Sequence, residues 1–137
     1  MTDVKNLKVE DVNILVVEDE KPLLEAIKIK LEKGGFSVVT ARTVEQAVGL
    51  LEDLETIKVI WLDHYLLGKE NGLDLVVKIK NDERFKNIPI FVVSNTASDD
   101  KVKSYLALGV NNYYTKSNYR LDQIINDIHA SLGSEKK

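Results

Sequence analysis

Cysteine is absent from the 137 residues, which removes disulfide frameworks, thiolate nucleophiles and thiolate metal sites together. Only two histidines, His64 and His129, offer imidazole nitrogens, too few for a structural zinc cage. Long apolar runs are missing. The longest stretches without a charged residue, 87–98 and 104–115, hold 12 residues each, whereas a membrane helix requires roughly 18 to 20 apolar ones. The first residues, MTDVKNLKVEDVN, mix both charge signs before any apolar run and lack the order of a secretory signal, so a cytoplasmic location is expected. A basic surplus is lacking too. With 19 basic residues against 22 acidic ones the net charge is −3, which argues against binding a nucleic-acid backbone.

What remains is a chain 44% hydrophobic and 30% charged, the profile of one globular domain. At this size folding buries roughly two thirds of the unfolded chain's surface, enough for one core without staples. Short apolar runs alternate five times with amphipathic segments, with no internal repeat or linker between them. The runs are 12–17 (VNILVV), 36–41 (FSVVTA), 59–62 (VIWL), 88–93 (IPIFVV) and 112–115 (NYYT). Rich in Val, Ile and aromatics with little polar alternation, the first four suit parallel strands covered on both faces.

The intervening segments read as helices. Pro22 sits in the first turn of one that Gly34 and Gly35 end, and Thr43 with Gln46 three residues later predicts a capping box for a second. A third follows Gly72 to about Asn81, and a fourth runs from Ser98 or Asp99 until Gly109. Leu121, Ile124, Ile125, Ile128 and Leu132 form the apolar stripe of the fifth. Five strands alternating with five helices imply right-handed crossovers and a doubly wound α/β sheet, with residues 1–10 and 133–137 as extensions to a domain spanning 11–132. In such sheets ligands bind at the carboxyl ends of the strands.

Four strand ends are chemically informative. The first run leads into Glu18, Asp19 and Glu20, the third ends in Asp63, the fourth in Ser94, and Lys116 follows the fifth. Carboxylates held close together repel and titrate as a coupled set, a conflict that a divalent cation resolves. Oxygen donors without Cys or paired His select a hard ion such as Mg²⁺, which leaves positions for a phosphate oxygen. An ammonium and a hydroxyl beside it can neutralise charge developing in phosphoryl transfer, and a carboxylate can form an aspartyl-phosphate. Asp63 is therefore the candidate nucleophile, with Lys116 and Ser94 as its partners.

The stretches ILVVEDE (14–20), VIWLDHYLLGKENGLDL (59–75), IPIFVVSNTA (88–97) and GVNNYYTKS (109–117) resemble the receiver domain of two-component response regulators. The resemblance covers about residues 10–132. It implies the flavodoxin-like strand order 2-1-3-4-5, phosphoryl transfer to Asp63 from the phosphohistidine of a histidine kinase or histidine phosphotransfer protein, and Mg²⁺ held by Asp19, Asp63 and the carbonyl of Tyr65, with Glu18 acting through water. It also implies that Ser94 and Tyr113 switch on phosphorylation and that the fourth helix, fifth strand and fifth helix form the face for a downstream protein, with a homodimer through that face left open. Neither a membrane nor direct nucleic-acid contact is expected. The resemblance makes the chain a phospho-acceptor rather than an enzyme on other substrates, and the length as given leaves no room for an output module.

The sequence departs from the family's pattern at several places. Ser117 stands where a cis proline is usual, and a cis bond before a non-proline costs about 3 kcal/mol. Asn95 stands where a small residue is usual, and Leu67 and Gly68 where proline is common. Tyr65 and Thr96 occupy positions that tune water attack in the family, a bulky Tyr65 being expected to slow it. Trp61 is expected in the core and His64 as an ordinary loop residue. Tyr114 and Tyr119 are expected as edge tyrosines with hydroxyls in water. Two other readings stay open, a receiver-like binding module that no longer turns over phosphate and a small flavin-binding or phosphatase domain. The acidic, glycine-free EDEKP after the first strand opposes a flavin-phosphate cradle. The position of Asp63 after the third strand, not the first, opposes the phosphatase.

Overall fold

In a computed structural model of the chain, which describes residues 13–95, 98–116 and 119–133, five strands alternate with five helices. In order they are β1 (Asn13–Val17), α1 (Lys21–Lys33), β2 (Ser37–Ala41), α2 (Val44–Asp53), β3 (Ile57–Leu62), α3 (Gly72–Lys80), β4 (Ile90–Ser94), α4 (Asp99–Ala107), β5 (Asn112–Thr115) and α5 (Leu121–Gly133). All strands are parallel, in the order β2-β1-β3-β4-β5, the expected doubly wound arrangement. The proposed extension 1–10 and the tail beyond Gly133 lie outside the described residues, as do Thr96 and Ser117.

The side-chain alternation of each strand sorts the core into two layers. Leu15, Val17, Ile60, Leu62, Ile90 and Val92 point to one face and pack with Ala47 and Leu51 of α2, Leu75, Val76 and Ile79 of α3, and Tyr105 of α4. Ile14, Val16, Val59, Trp61, Phe91 and Val93 point to the other, under Leu24, Ile27 and Leu31 of α1 and Ile124, Ile128 and Leu132 of α5. All five residues of β4 are buried, which is why the run shows no polar alternation. Trp61 is a core residue with no exposure, as its mid-strand position predicts.

Boundaries shift for local reasons. β4 starts at Ile90 rather than Ile88, because Pro89 has no N–H for the ladder, although its carbonyl still accepts from Ile60 N at 2.9 Å. Ser94 joins the strand opposite Thr115. The Thr43 cap forms only half of the expected box: its hydroxyl accepts from Gln46 N at 3.0 Å, but the Gln46 carboxamide accepts from Arg42 N at 2.8 Å. The complete reciprocal box lies at α3, where Asn71 and Asp74 exchange bonds of 3.1 and 2.9 Å. Gly35 and Gly109, each with φ near 97°, turn the chain out of α1 and α4. Tyr114 is not an edge tyrosine in water. It is buried under α5, and its hydroxyl donates to Asp127 Oδ2 at 2.7 Å and accepts from Asn112 at 2.8 Å. Tyr119, by contrast, is exposed.

Candidate functional site

The strand order makes β1, β3, β4 and β5 consecutive neighbours, so their polar ends meet at one edge. The crevice opens between β1 and β3, where the direction of winding reverses. Each polar residue is held by a backbone bond that carries the sheet ladder past the strand. Glu18 N donates to Ala41 O at 3.0 Å, Asp63 N to Val17 O at 2.9 Å, and Lys116 N to Ser94 O at 2.9 Å. The side chains therefore project from a rigid platform rather than from mobile loops.

Glu18, Asp19 and Asp63 each bring a carboxylate oxygen within 4.8 Å of the others. Glu18 and Asp63 keep only 1% and 4% of their surface exposed, and Ser94 is fully buried. Lys116 Nζ lies 3.1 Å from Glu18 Oε1 and 3.8 Å from Asp63 Oδ1, so one ammonium faces two buried carboxylates. Glu18 Oε2 accepts from Glu20 N at 3.2 Å. Asp63 Oδ1 and the Ser94 hydroxyl are both buried without a closed hydrogen bond. A buried carboxylate oxygen without a hydrogen bond is costly, and here it sits in the middle of an oxygen-rich cluster.

The charge conflict expected from the sequence is present, but its leading cause differs. Burial is what chiefly pushes the Glu18 carboxyl up to about 7; the Asp63 charge adds to the shift and Lys116 opposes it. Burial likewise raises Asp63, with Lys116 pulling back and Asp19 adding a smaller upward push. A site that resists holding its own negative charge favours an added cation. The all-oxygen donor set and the Asp63 Oδ1 that lacks a hydrogen bond fit a hard divalent ion.

Three neighbours were not legible as site residues. Arg42, immediately after β2, donates from Nε and Nη2 to the carbonyl of Asp19 at 3.1 and 2.7 Å and so fixes the peptide that carries this acid. The signal was its place at the one strand end left without a role. His64 is no ordinary loop residue: it is 4% exposed, and its Nδ1 lies 2.7 Å from the hydroxyl of fully buried Tyr105 on α4. Burial lowers the His64 pKa and raises that of Tyr105, both shifts favouring the neutral forms. The His64 side chain meets Tyr105 of α4. Tyr105 lies within the stretch expected as the fourth helix, and nothing local in the sequence marks it as a neighbour of the site.

The other expected site residues fall around the same crevice. Tyr113 on β5 is half-buried, its ring 5.6 Å from that of Tyr105, and it lies close enough to Ser94 and Asp63 to feel both. The Tyr65 side chain is 53% exposed and meets Lys101, whose Nζ sits 3.3 Å from the phenol oxygen and 5.1 Å from the ring centroid. Asn95 is exposed at the mouth.

Fold and site together define a doubly wound α/β domain with an acidic crevice, a buried central aspartate and a facing lysine. The sequence model of the response regulator receiver domain matches residues 14–129, and the chain belongs to that family. Chemotaxis protein CheY1 of Helicobacter pylori is 36% identical over 104 residues, 75% of this chain and 83% of that protein. The phosphate regulon transcriptional regulatory protein PhoB of Pseudomonas aeruginosa is 33% identical over 103 residues, of which the match takes in 75% of this chain but only 44% of that protein. Among solved structures, the Mn²⁺-bound form of response regulator Rcp1 superposes with a TM-score of 0.72 at 27% identity, covering 88% of this chain and 92% of that one. Receiver domains are phosphoryl acceptors that work with histidine kinases and downstream targets and hold Mg²⁺ or Mn²⁺ in an acidic pocket. Among the described residues no helix is long and apolar enough to cross a membrane.

Proposed function

We propose that this chain is a cytoplasmic receiver, folded as one unit over residues 11–132, in which Asp63 accepts a phosphoryl group from the phosphohistidine of a histidine kinase or histidine phosphotransfer protein. The observation that carries this reading is the buried Asp63 Oδ1, without a hydrogen bond, 3.8 Å from the Lys116 ammonium and inside the three-carboxylate cluster. In the transfer, a carboxylate oxygen of Asp63 forms the new P–O bond as the P–N bond to the donor imidazole breaks, and the departing nitrogen keeps that bond's electron pair. Lys116 Nζ and the Ser94 hydroxyl meet the phosphoryl oxygens and neutralise charge there. Asp19, Asp63 and the Tyr65 carbonyl hold Mg²⁺, with Glu18 assisting through water, and the bound ion supplies further charge neutralisation. Hydrolysis by water later restores the Asp63 carboxylate and releases phosphate, so the chain catalyses only its own modification.

The added charge biases Ser94 and Tyr113, and through them the surface formed by α4, β5 and α5, which is the face for a downstream protein or a second copy. Incubation with Mg²⁺ and acetyl phosphate, followed by intact mass measurement, is expected to add one phosphate that an Asp63→Asn control does not gain. No gain in the parent would replace this reading with that of a binding module that has lost turnover. Asp19→Asn is expected to weaken Mg²⁺ binding; unchanged affinity would misplace the metal.

A further inference from the structure

Beside Ser94 and Tyr113, a second physical link joins the acceptor to α4. The Tyr105 hydroxyl is 2.7 Å from His64 Nδ1, one residue after Asp63, and its ring lies against Tyr113 at 5.6 Å and against His64 at 5.8 Å. Its hydroxyl, the Asp63 carbonyl and the His64 Cα also converge on the bare Cα of Gly72: a Cβ there would stand 2.5, 2.7 and 3.1 Å from them. Tyr105 has no exposed surface, so water cannot substitute for any of these contacts. One rigid side chain, with two rotatable torsions and no slack around it, thus touches the imidazole of the residue that follows the acceptor, the start of α3 and the ring of Tyr113 while being anchored in α4.

We propose that Tyr105 is a positioning residue of the switch, tying the side chain of His64, the residue that follows the acceptor, to α4 through the Tyr105–His64 hydrogen bond so that a change at the acceptor is passed to α4. The proposal rests on the reading of Asp63 as acceptor. Displacement of the β3 end when charge arrives must either move Tyr105, and α4 with it, or break a buried bond that no solvent can replace. The bond is made to the His64 ring and not to Asp63, so it does not compete with Ser94 and Lys116 for phosphoryl oxygens.

The test uses the full chain with Mg²⁺ and beryllofluoride, a tetrahedral phosphoryl mimic, and reads amide shifts by ¹H–¹⁵N NMR in the parent and in Tyr105→Phe, which keeps the ring. Shifts at Ser94 and Lys116 are expected in both. Those at Leu106, Ala107 and Leu108 are expected to fall about fivefold in Tyr105→Phe, the factor associated with one buried hydrogen bond. His64→Leu, which strips the ring nitrogen and leaves Tyr105 in place, should reproduce the loss and covers the case in which Tyr105→Phe does not fold. His64→Gln, whose carboxamide can donate or accept, should recover the response. Undiminished α4 shifts in both Tyr105→Phe and His64→Leu would overturn the proposal, as would a parent whose shifts stop at Ser94 and Lys116. Absence of shifts at Ser94 and Lys116 themselves, with no phosphate mass gained, would instead overturn the acceptor reading.

Discussion

Gly72→Ala sets two physical effects against each other at the start of α3. On helix propensity alone alanine should help, by up to about 1 kcal/mol in a helix interior and less at a first residue. The surroundings oppose it. The new Cβ would stand 2.5 Å from the Tyr105 hydroxyl oxygen and 2.7 Å from the Asp63 carbonyl oxygen, several tenths of an ångström inside contact distance. Neither neighbour can give way easily: one oxygen is main chain at the end of the central strand, and the other belongs to a fully buried ring bonded to His64. Withdrawal of α3 is resisted by the 2.9 Å bond from Gly72 N to His64 O and by the Asn71–Asp74 box. Overpacking of this kind costs about 1–3 kcal/mol, so the steric effect wins and a net loss of about 1–2 kcal/mol is expected. Urea unfolding followed by the fluorescence of Trp61, the only tryptophan, measures it as a lower midpoint at unchanged slope. Gly49→Ala in α2 is the control, because nothing lies within 4 Å of its added Cβ; there the propensity effect stands alone and about 0.5–1 kcal/mol of stabilisation is expected. A Gly72→Ala protein as stable as the parent, with Gly49→Ala behaving as stated, would refute the convergence of Tyr105 and Asp63 on this glycine.

Other outcomes follow from the electrostatics and the core. Because burial raises the Glu18 carboxyl from 4.5 to about 7, the folded state binds its proton more tightly than the unfolded state does. The stability it contributes is full below about 4.5 and is lost as pH climbs to about 7, by no more than about 3 kcal/mol. Unfolding of metal-free protein across that window should show the decline, and Glu18→Gln should flatten it; a parent that gains stability over the window relative to Glu18→Gln would contradict the assignment. Lys116→Met strands two buried carboxylates beside one another. In chelator it should lose roughly 2–4 kcal/mol, less than a fully buried pair would because Lys116 keeps 17% exposure, and Mg²⁺ should restore part of the loss in a thermal melt. Asp127→Ala removes the acceptor of the Tyr114 hydroxyl and is expected to cost about 1 kcal/mol by urea unfolding while leaving the gain of phosphate mass intact.

Local chemistry determined most of the fold from the sequence. Unbroken apolar runs such as IFVV belong to strands with no solvent face, glycines 35 and 109 stop helices where the chain needs positive φ, and Ile124, Ile128 and Leu132 recur at helical spacing. These signals act within one or two turns of chain and so survive in a linear reading. The strand-end acids, Ser94 and Lys116 were legible for a related reason, since parallel strands deliver whatever follows them to a common edge. Strand order was supplied by family resemblance, because periodicity cannot say which strand neighbours which. Only the tertiary structure decided the rest, and each case turns on what arrives from far along the chain. Burial rather than mutual repulsion is the main cause of the raised Glu18 and Asp63 pKa values. Tyr114 is an interior residue because α5 folds over it. The place of His64 depends on Tyr105, 41 residues away, and that of Arg42 on the carbonyl of Asp19, 23 residues back, contacts between separate elements that no local pattern encodes.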